Sequence, residues 1–132
     1  MTTILLVEDD AMNRDMMARH LKWEGFQVVT AVNGVQAVAL AQSEPIDLIL
    51  LDMGLPIMNG WQAARRLKSG DSRAIPIIAL TAYALVDDRA ACLAAGCDEY
   101  ETKPVDFSQL LRKIRSLLPG ERSAEPPVVA GP

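Results

Sequence analysis

The arrangement of apolar residues along the chain constrains its fold more than any other feature of the sequence. Short apolar runs recur at residues 4–7, 27–31, 48–51 and 76–80, with a weaker one at 98–101. The first, third and fourth runs are continuously apolar, which is typical of strands that are covered on both faces, as in a parallel sheet. Because a stretch of helical periodicity follows each run, we predict an α/β domain in which helices cross over between parallel strands.

The predicted helices carry apolar residues at helical spacing, and we expect these stripes to face the core. Helix boundaries are marked by glycine and asparagine: Gly25 and Gly96 end two helices, whereas Asn33 and Asn59 begin two others. The stripes comprise Met12, Met16 and Leu21; Val35, Val38 and Ala39; Trp61, Ala64 and Leu67; Leu85, Arg89 and Leu93; and Leu110, Leu111, Ile114 and Leu117.

Length and composition predict one folded domain over residues 1–118 and a short tail over residues 119–132. A chain of 132 residues, half of them apolar, is long enough to form a single core. The tail is rich in proline and shows no helical face, so we expect it to be flexible.

Charge and cysteine content narrow the classes of function. The formal net charge of −4 disfavours nucleic acid as a partner, since a phosphate backbone requires a basic surface. No apolar run approaches the ~18 residues of a membrane span and no basic-then-apolar leader is present, so we expect a cytoplasmic protein with no membrane partner. Cys92 and Cys97 are expected to be reduced thiols packed in or near the core, because two cysteines and one distant histidine do not make a zinc site.

Polar and charged residues follow the predicted strands at their carboxyl ends, where parallel α/β sheets place their sites. If the first and third strands are neighbours, about 4.8 Å apart, Asp9 and Asp52 converge and repel each other. A divalent cation would resolve this repulsion, and hard carboxylate oxygens suit Mg²⁺. For Asp10 taken by itself, the alternative is an incidental acidic residue of a solvated loop. The full set is Glu8, Asp9 and Asp10 after the first run, Asp52 after the third, Thr81 after the fourth and Lys103 after the fifth.

A carboxylate, Mg²⁺, a hydroxyl and a lysine together are suited to phosphoryl transfer, which depends on positioning and on neutralising the phosphoryl oxygens. An aspartate can act as the nucleophile and form an aspartyl phosphate. Thr81 can donate a hydrogen bond to one phosphoryl oxygen and Lys103 can neutralise another. The alternative for Lys103 is an ordinary exposed lysine without a role in a site. Pro104, directly after it, marks a turn.

Four motifs carry a resemblance to a known family. They read ILLVEDD at residues 4–10, LILLDMGLPIMNG at 48–60, IALTA at 78–82 and YETKP at 100–104. In this order, over about residues 3–118, they resemble the receiver domain of bacterial two-component response regulators. The resemblance implies a flavodoxin-like (βα)₅ fold with a five-stranded parallel sheet of order 2-1-3-4-5, in which the first and third strands are adjacent. It also implies a cis peptide bond before Pro104.

The resemblance further implies roles for four residues of the first two motifs. Asp52 corresponds to the phosphoacceptor. Asp9 and Asp52 would bind Mg²⁺ directly, Glu8 would bind it through water, and the backbone carbonyl of Gly54 would complete the protein ligands.

The remaining two motifs imply the groups that respond to phosphorylation. Thr81 corresponds to the switch hydroxyl and Lys103 to the lysine of the site. Tyr100 corresponds to an aromatic residue whose rotamer couples phosphorylation to the surface of helix four, strand five and helix five; a half-buried core tyrosine is the alternative. Gly54 and Tyr83 depart from the residues usual in the family and flank the phosphoryl group, so we expect them to tune its lifetime.

The function implied is phosphorelay signalling by a stand-alone receiver that is not an enzyme, apart from accepting a phosphoryl group and hydrolysing its own aspartyl phosphate. A sensor histidine kinase or a histidine phosphotransfer protein would be the donor, and an unknown downstream protein would be the target. We expect a monomer or a weak phosphorylation-dependent dimer.

Two other classes of function are alternatives to the receiver. A small Mg²⁺-dependent phosphatase or phosphotransferase with an aspartate nucleophile commonly has two aspartates one residue apart at the first strand end, a spacing that Glu8, Asp9 and Asp10 lack. A flavodoxin-type electron carrier would need a phosphate-binding loop rich in serine, threonine and glycine where this chain has three acids, which would repel the phosphate.

Overall fold

The computed structural model describes residues 1–55, 58–82 and 86–118. Strands and helices alternate along the chain, as the apolar runs predict. The strands are β1 (Thr3–Val7), β2 (Gln27–Ala31), β3 (Leu48–Asp52), β4 (Ile77–Thr81) and β5 (Glu99–Thr102). The helices are α1 (Ala11–Trp23), α2 (Gly34–Ser43), α3 (Gly60–Lys68), α4 (Val86–Ala94) and α5 (Phe107–Leu117), with a 3₁₀ turn at Asp71–Ala74.

The five strands form one parallel sheet in the order β2-β1-β3-β4-β5, which confirms the predicted fold class. Helices cover both faces of this sheet. Alternate residues of β1, such as Leu5 and Val7, pack with α2, α3 and α4, whereas Ile4 and Leu6 pack with α1 and α5. The side chains of β1 that face either side of the sheet are fully buried. This burial on both faces explains why the central strands are continuously apolar.

Two polar residues lie inside strands that the apolar runs predict to end one residue earlier. Asp52 is the last residue of β3 and pairs with Leu80, and Thr81 is the last residue of β4 and pairs with Thr102. The backbone ladder therefore continues past the last apolar side chain, and this brings the functional groups of both residues onto ordered strands.

The predicted helix boundaries are confirmed. Gly25 and Gly96 have positive φ angles of 99° and 104° after α1 and α4, a conformation that glycine adopts without steric cost. Asn33 and Asn59 are the N-caps of α2 and α3. Both cysteines are free and buried, as expected.

The predicted core stripes are wrong in part. On α1, Met12 and Met16 are 83% and 60% exposed, and the core is contacted by Met17, Ala18 and Leu21. Val35, Ala39 and Leu93 are also exposed. Helical spacing fixes a face only to within about one residue, and the buried face of α1 lies about one residue further round the helix than the predicted stripe. Leu85 and the side chain of Arg89 lie outside the described residues.

The fold has two further features that bear on the predictions. The Lys103–Pro104 peptide bond is cis, as the resemblance implies. Within the described ranges, no helix combines the length and the apolar character needed to cross a membrane. The predicted tail, residues 119–132, lies outside the part of the chain that the structure describes.

Candidate functional site

The carboxyl ends of β1 and β3 bring three acidic side chains together. The two strands are paired with Val7 opposite Leu51, so Glu8 and Asp52 follow at equivalent positions on neighbouring strands. Glu8, Asp9 and Asp52 each offer a carboxylate oxygen, and these oxygens all lie within 4.8 Å of one another. Carboxylate oxygens at this separation fit a hard divalent cation such as Mg²⁺.

The three acids differ in burial. Glu8 and Asp52 are buried, whereas Asp9 is exposed to solvent at the mouth of the cluster. The amide of Glu8 donates to the Ala31 carbonyl at 3.0 Å, so the acidic loop is held to β2 as soon as β1 ends. Two carboxylates of the site, those of Glu8 and Asp52, are therefore buried, and the carboxylate of Asp9 is accessible to solvent.

Asp10 has a structural role and lies outside the acidic cluster. Its side chain accepts a hydrogen bond of 2.8 Å from the amide of Asn13, and it is the N-cap of α1. Its own amide donates to Glu8 Oε2 at 3.2 Å. Asp10 thus begins the helix and orients Glu8, which agrees with the interpretation of Asp10 as a loop residue.

Lys103 connects the acidic cluster to β5. Its ammonium nitrogen lies 3.1 Å from Glu8 Oε1 and 3.3 Å from Asp52 Oδ2. Burial alone would lower the pKa of Lys103, but the charge of Asp52 and the hydrogen bond with Glu8 more than offset it and raise the pKa above its ordinary value. Lys103 is therefore held as a cation between two carboxylates.

Burial raises the pKa of Glu8 above its ordinary value, and the charge of Asp52 adds to this effect. The amide of Asp10 and the ammonium of Lys103 act in the opposite direction. Two buried carboxylates for one lysine leave the site with excess negative charge, which is the electrostatic condition for holding a cation.

The loop after β3 is shaped by two glycines. The amide of Gly54 donates to Asp52 Oδ1 at 3.0 Å, which leaves Oδ2 toward Lys103. At Gly60, the first residue of α3, a Cβ atom would lie 2.4 Å from the Cα of Met53 and 2.7 Å from the Asp52 carbonyl oxygen. Only glycine allows this close approach of α3 to the end of β3.

Thr81 and Tyr100 lie on the neighbouring strands. Thr81 is buried, and its carbonyl accepts a hydrogen bond of 2.8 Å from the Lys103 amide, so the two residues hold adjacent strand ends in register. Tyr100 is half-buried against the core, with the Lys113 ammonium 5.2 Å from the centre of its ring. Tyr83 lies outside the described residues.

Two contacts of the site have no signal in the sequence. The Arg14 guanidinium donates to the backbone carbonyls of Glu8 at 3.0 Å and Asp9 at 3.4 Å, and so holds the acidic loop from the first turns of α1. The ion pair between Glu8 and Lys103 joins residues 95 positions apart. Neither contact follows from a local spacing pattern.

Comparisons with known proteins agree with this geometry. The chain matches the family model "Response regulator receiver domain" over residues 4–115. It is 36% identical over 116 residues to the probable transcriptional regulatory protein TcrX of Mycobacterium tuberculosis, covering 88% of this chain and 49% of TcrX. Identity to the transcriptional regulatory protein CusR of Escherichia coli is 38%, with 87% of this chain and 50% of CusR covered. The chain thus spans about half the length of these curated relatives.

Solved structures include two informative neighbours. The receiver domain of the sensor histidine kinase PA1611 from Pseudomonas aeruginosa, which has a magnesium ion coordinated in its active-site cleft, is 38% identical with a TM-score of 0.82, covering 88% of this chain and 96% of that one. The receiver domain of Ssk1 from Saccharomyces cerevisiae, solved with the histidine phosphotransfer protein Ypd1, is similar at 28% identity and a TM-score of 0.83, covering 88% of each chain. The comparisons give no support to the alternative of a small phosphatase.

Proposed function

Because this chain belongs to the family of response regulator receiver domains, which are signalling modules, we propose that it accepts a phosphoryl group on Asp52. The observation that carries the proposal is the convergence of Asp52 with Glu8, Asp9 and Lys103 at one edge of the sheet. Each side chain of this set has a task in moving a phosphoryl group, and the set combines a nucleophile, a cation and a metal-binding pair of acids.

The reaction proposed is the transfer of a phosphoryl group from a phosphohistidine to a carboxylate. An oxygen of Asp52 attacks phosphorus, the bond from phosphorus to the donor nitrogen breaks, and the imidazole leaves with the electron pair of that bond and takes up a proton. The product is an acyl phosphate on Asp52. Lys103 already lies 3.3 Å from Asp52 Oδ2, where its charge offsets the negative charge that the phosphoryl oxygens bring.

Mg²⁺ is the cofactor that we propose for the acidic cluster. The donor set consists of carboxylate oxygens, as this hard cation prefers, with Asp9 and Asp52 as direct ligands, Glu8 acting through water and the Gly54 carbonyl as a further ligand. When bound, Mg²⁺ supplies positive charge to the phosphoryl oxygens. Support for this metal comes from the acidic cluster and from the magnesium-bound PA1611 receiver domain.

Thr81 and Tyr100 are proposed to carry the signal away from Asp52. Thr81 is buried at the end of the strand next to Asp52, within reach of the same edge of the sheet, and Tyr100 lies on the following strand. Phosphorylation would draw Thr81 toward the phosphoryl group and turn Tyr100 inward, which changes the surface formed by α4, β5 and α5. This surface would contact the downstream protein.

The proposed partners are a sensor histidine kinase or a histidine phosphotransfer protein as donor and an unidentified downstream protein as target. The structure of Ssk1 with Ypd1 supports a phosphotransfer donor. We propose that the domain has no catalytic activity toward other substrates, makes no contact with nucleic acid and acts in the cytoplasm. The net charge of −4 supports the second of these points.

Intact-mass measurement after incubation with acetyl phosphate and Mg²⁺ tests the proposal. The wild type should gain the mass of one phosphoryl group, and the gain should disappear with EDTA and in Asp52→Asn. Asp71→Asn, which changes an exposed aspartate away from the cluster, is the matched control and should behave as the wild type. If Asp52→Asn gains the same mass as the wild type, Asp52 is not the acceptor.

A further inference from the structure

An ion pair joins α5 to the edge strand of the sheet. Glu101 of β5 is 4% exposed, and its carboxylate lies 2.8 Å from the ammonium of Lys113 on α5. The side chain of Lys113 is 28% exposed. A buried carboxylate is costly unless it is paired, so Glu101 holds the Lys113 ammonium close to the strand. The position of this cation beside β5 is therefore well defined.

The same ammonium binds the backbone of Tyr100, the residue before Glu101. Its nitrogen donates to the Tyr100 carbonyl at 2.6 Å, and the Tyr100 amide donates to Glu99 Oε1 at 3.1 Å. Because β5 is an edge strand, one side of its backbone has no strand to pair with. Both backbone groups of Tyr100 bond to side chains, so they face this open edge. Lys113 therefore lies on the side of Tyr100 that is opposite to β4.

The ring of Tyr100 lies near the same cation. Successive side chains of a strand point to opposite faces of the sheet, so the ring and the Glu101 carboxylate lie on different faces. The ring is half-buried against the core, and its centre is 5.2 Å from the Lys113 ammonium. A cation within about 6 Å of the centre of an aromatic ring is attracted to the ring. Lys113 thus reaches groups on both faces of the sheet around the open edge of β5.

We propose that Lys113 is a positioning residue that holds the Tyr100 ring in its half-buried orientation in the unphosphorylated domain. This inference rests on the proposed function, in which phosphorylation draws Thr81 toward the phosphoryl group and the ring of Tyr100 turns inward. Thr81 is on β4, which lies on the other side of Tyr100 from the Lys113 ammonium. A turn toward β4 takes the ring away from the cation, so the attraction opposes the change.

The strength of this attraction sets the size of the expected effect. For a cation that is partly exposed to water, the attraction to an aromatic ring changes an equilibrium constant by about two- to fivefold. Loss of the Lys113 charge should therefore raise the ratio of inward to half-buried ring by this factor before any phosphoryl group is present. Lys113 thus limits how far the unphosphorylated domain resembles the phosphorylated one.

Fluorine NMR of the full chain labelled with 3-fluorotyrosine tests the proposal. The Tyr100 resonance is identified by its loss in Tyr100→Phe, and its broadening by a soluble gadolinium chelate measures the exposure of the ring. Acetyl phosphate with Mg²⁺ should reduce this broadening in the wild type. Without a phosphodonor, the double variant Glu101→Leu/Lys113→Met should show less broadening than the wild type, because its ring turns inward more often.

The variants separate the charge of Lys113 from its structural contribution. The double variant removes both charges of the ion pair, so neither is left buried without a partner. Lys113→Arg keeps the positive charge and should match the wild type. Arg112→Met, at the neighbouring exposed residue of α5, is the matched control for the loss of a positive charge and should also match the wild type.

The proposal is overturned if the unphosphorylated double variant is broadened as much as the wild type, or if Lys113→Arg or Arg112→Met behaves as the double variant does. Intact mass of the same samples separates this outcome from the proposed function. If the wild type gains the phosphoryl mass without a change in broadening, the Tyr100 ring does not turn and the proposal is wrong, whereas phosphorylation stands. If no sample gains mass, the proposed function is wrong, and the unphosphorylated samples still decide whether Lys113 holds the ring.

Discussion

The ammonium of Lys103 lies 3.3 Å from Asp52 Oδ2, although Asp52 ends β3 and Lys103 follows β5, two strands that are not neighbours in the sheet or in the sequence. The same ammonium lies 3.1 Å from Glu8 Oε1. A single cation thus stands between two buried carboxylates, and the site keeps an excess of negative charge. Several properties of the domain depend on this imbalance.

Lys103→Met should destabilise the domain in Mg²⁺-free buffer at neutral pH. The substitution leaves Glu8 and Asp52 without their cation. An unsatisfied buried polar group costs about 1–3 kcal/mol in the free energy of unfolding and a charged one costs more, so we expect a loss of at least this size. Urea denaturation measures this loss. Lys22→Met, at an exposed lysine of α1, serves as control and should change the free energy of unfolding little. Equal stability of Lys103→Met and the wild type would show that the ion pairs contribute nothing net.

The stability of the metal-free domain should depend on pH through Glu8. The pKa of Glu8 is raised in the folded state, so its contribution to stability is fully present below the ordinary value of 4.5 and is lost as the pH rises through the folded-state pKa. Glu8→Gln mimics the neutral acid and should therefore be more stable than the wild type at pH 7 in EDTA. The difference should shrink as the pH falls toward 4.5. Thermal denaturation across this range measures it, and a Glu8→Gln variant that is less stable at pH 7 would contradict the expectation.

Mg²⁺ affinity should fall more in Asp9→Ala than in Glu8→Ala. We expect Asp9 to be a direct ligand and Glu8 to act through water, and a direct carboxylate contributes more to affinity. Calorimetric titration with Mg²⁺ gives both constants. Asp10→Ala tests a neighbouring acid that caps α1 and should retain affinity closer to that of the wild type. Equal losses in the Asp9 and Glu8 variants would refute this division of roles.

Cys97 should be unreactive in the folded protein. Burial raises the pKa of Cys97 from 9.0 to about 12, so the nucleophilic thiolate is scarce at neutral and mildly alkaline pH. Iodoacetamide at pH 8, followed by peptide mapping, should find Cys97 unmodified in the native protein and modified in urea. Because the raised pKa means that this group's stability is present below pH 9 and lost as the pH approaches 12, Cys97→Ala should also weaken the alkaline loss of stability. Rapid modification of native Cys97 would contradict both expectations.

The fold class and the placement of the acids were predictable because the signals are local. The continuous apolar runs of β1, β3 and β4 reflect burial on both faces, and the residues that end them, Asp52 and Thr81, stand out against that background. The adjacency of β1 and β3 came from the family resemblance, and the observed strand order confirms it.

Features that depend on tertiary packing were less predictable. The buried face of α1 is set by Met17, Ala18 and Leu21, and the side-chain size of Met12 and Met16 pointed to the wrong face. Long-range contacts such as Glu8 with Lys103 depend on how the strand ends meet in three dimensions, and no periodicity in the sequence encodes this. The roles of Asp52, Thr81 and Tyr100 in signalling stay predictions.

Gly54→Asn should accelerate hydrolysis of the proposed aspartyl phosphate. Gly54 is exposed and its amide donates to Asp52 Oδ1. Among the described residues, a Cβ atom there would meet only that oxygen within 4 Å, at an ordinary contact distance of 3.7 Å, so a side chain fits beside the acceptor. An amide at this position can orient the attacking water, and assistance of this kind contributes a factor of up to ~10²–10⁴. The opposing effect is that glycine leaves the site open to water, but positioning is the larger contribution in phosphoryl transfer.

Release of phosphate from the phosphorylated protein measures the rate of hydrolysis. Gly54→Ala is the control, because it narrows the access of water without orienting it, and its hydrolysis should be no faster than that of the wild type. If Gly54→Asn releases phosphate more slowly than the wild type, access outweighs orientation at this site.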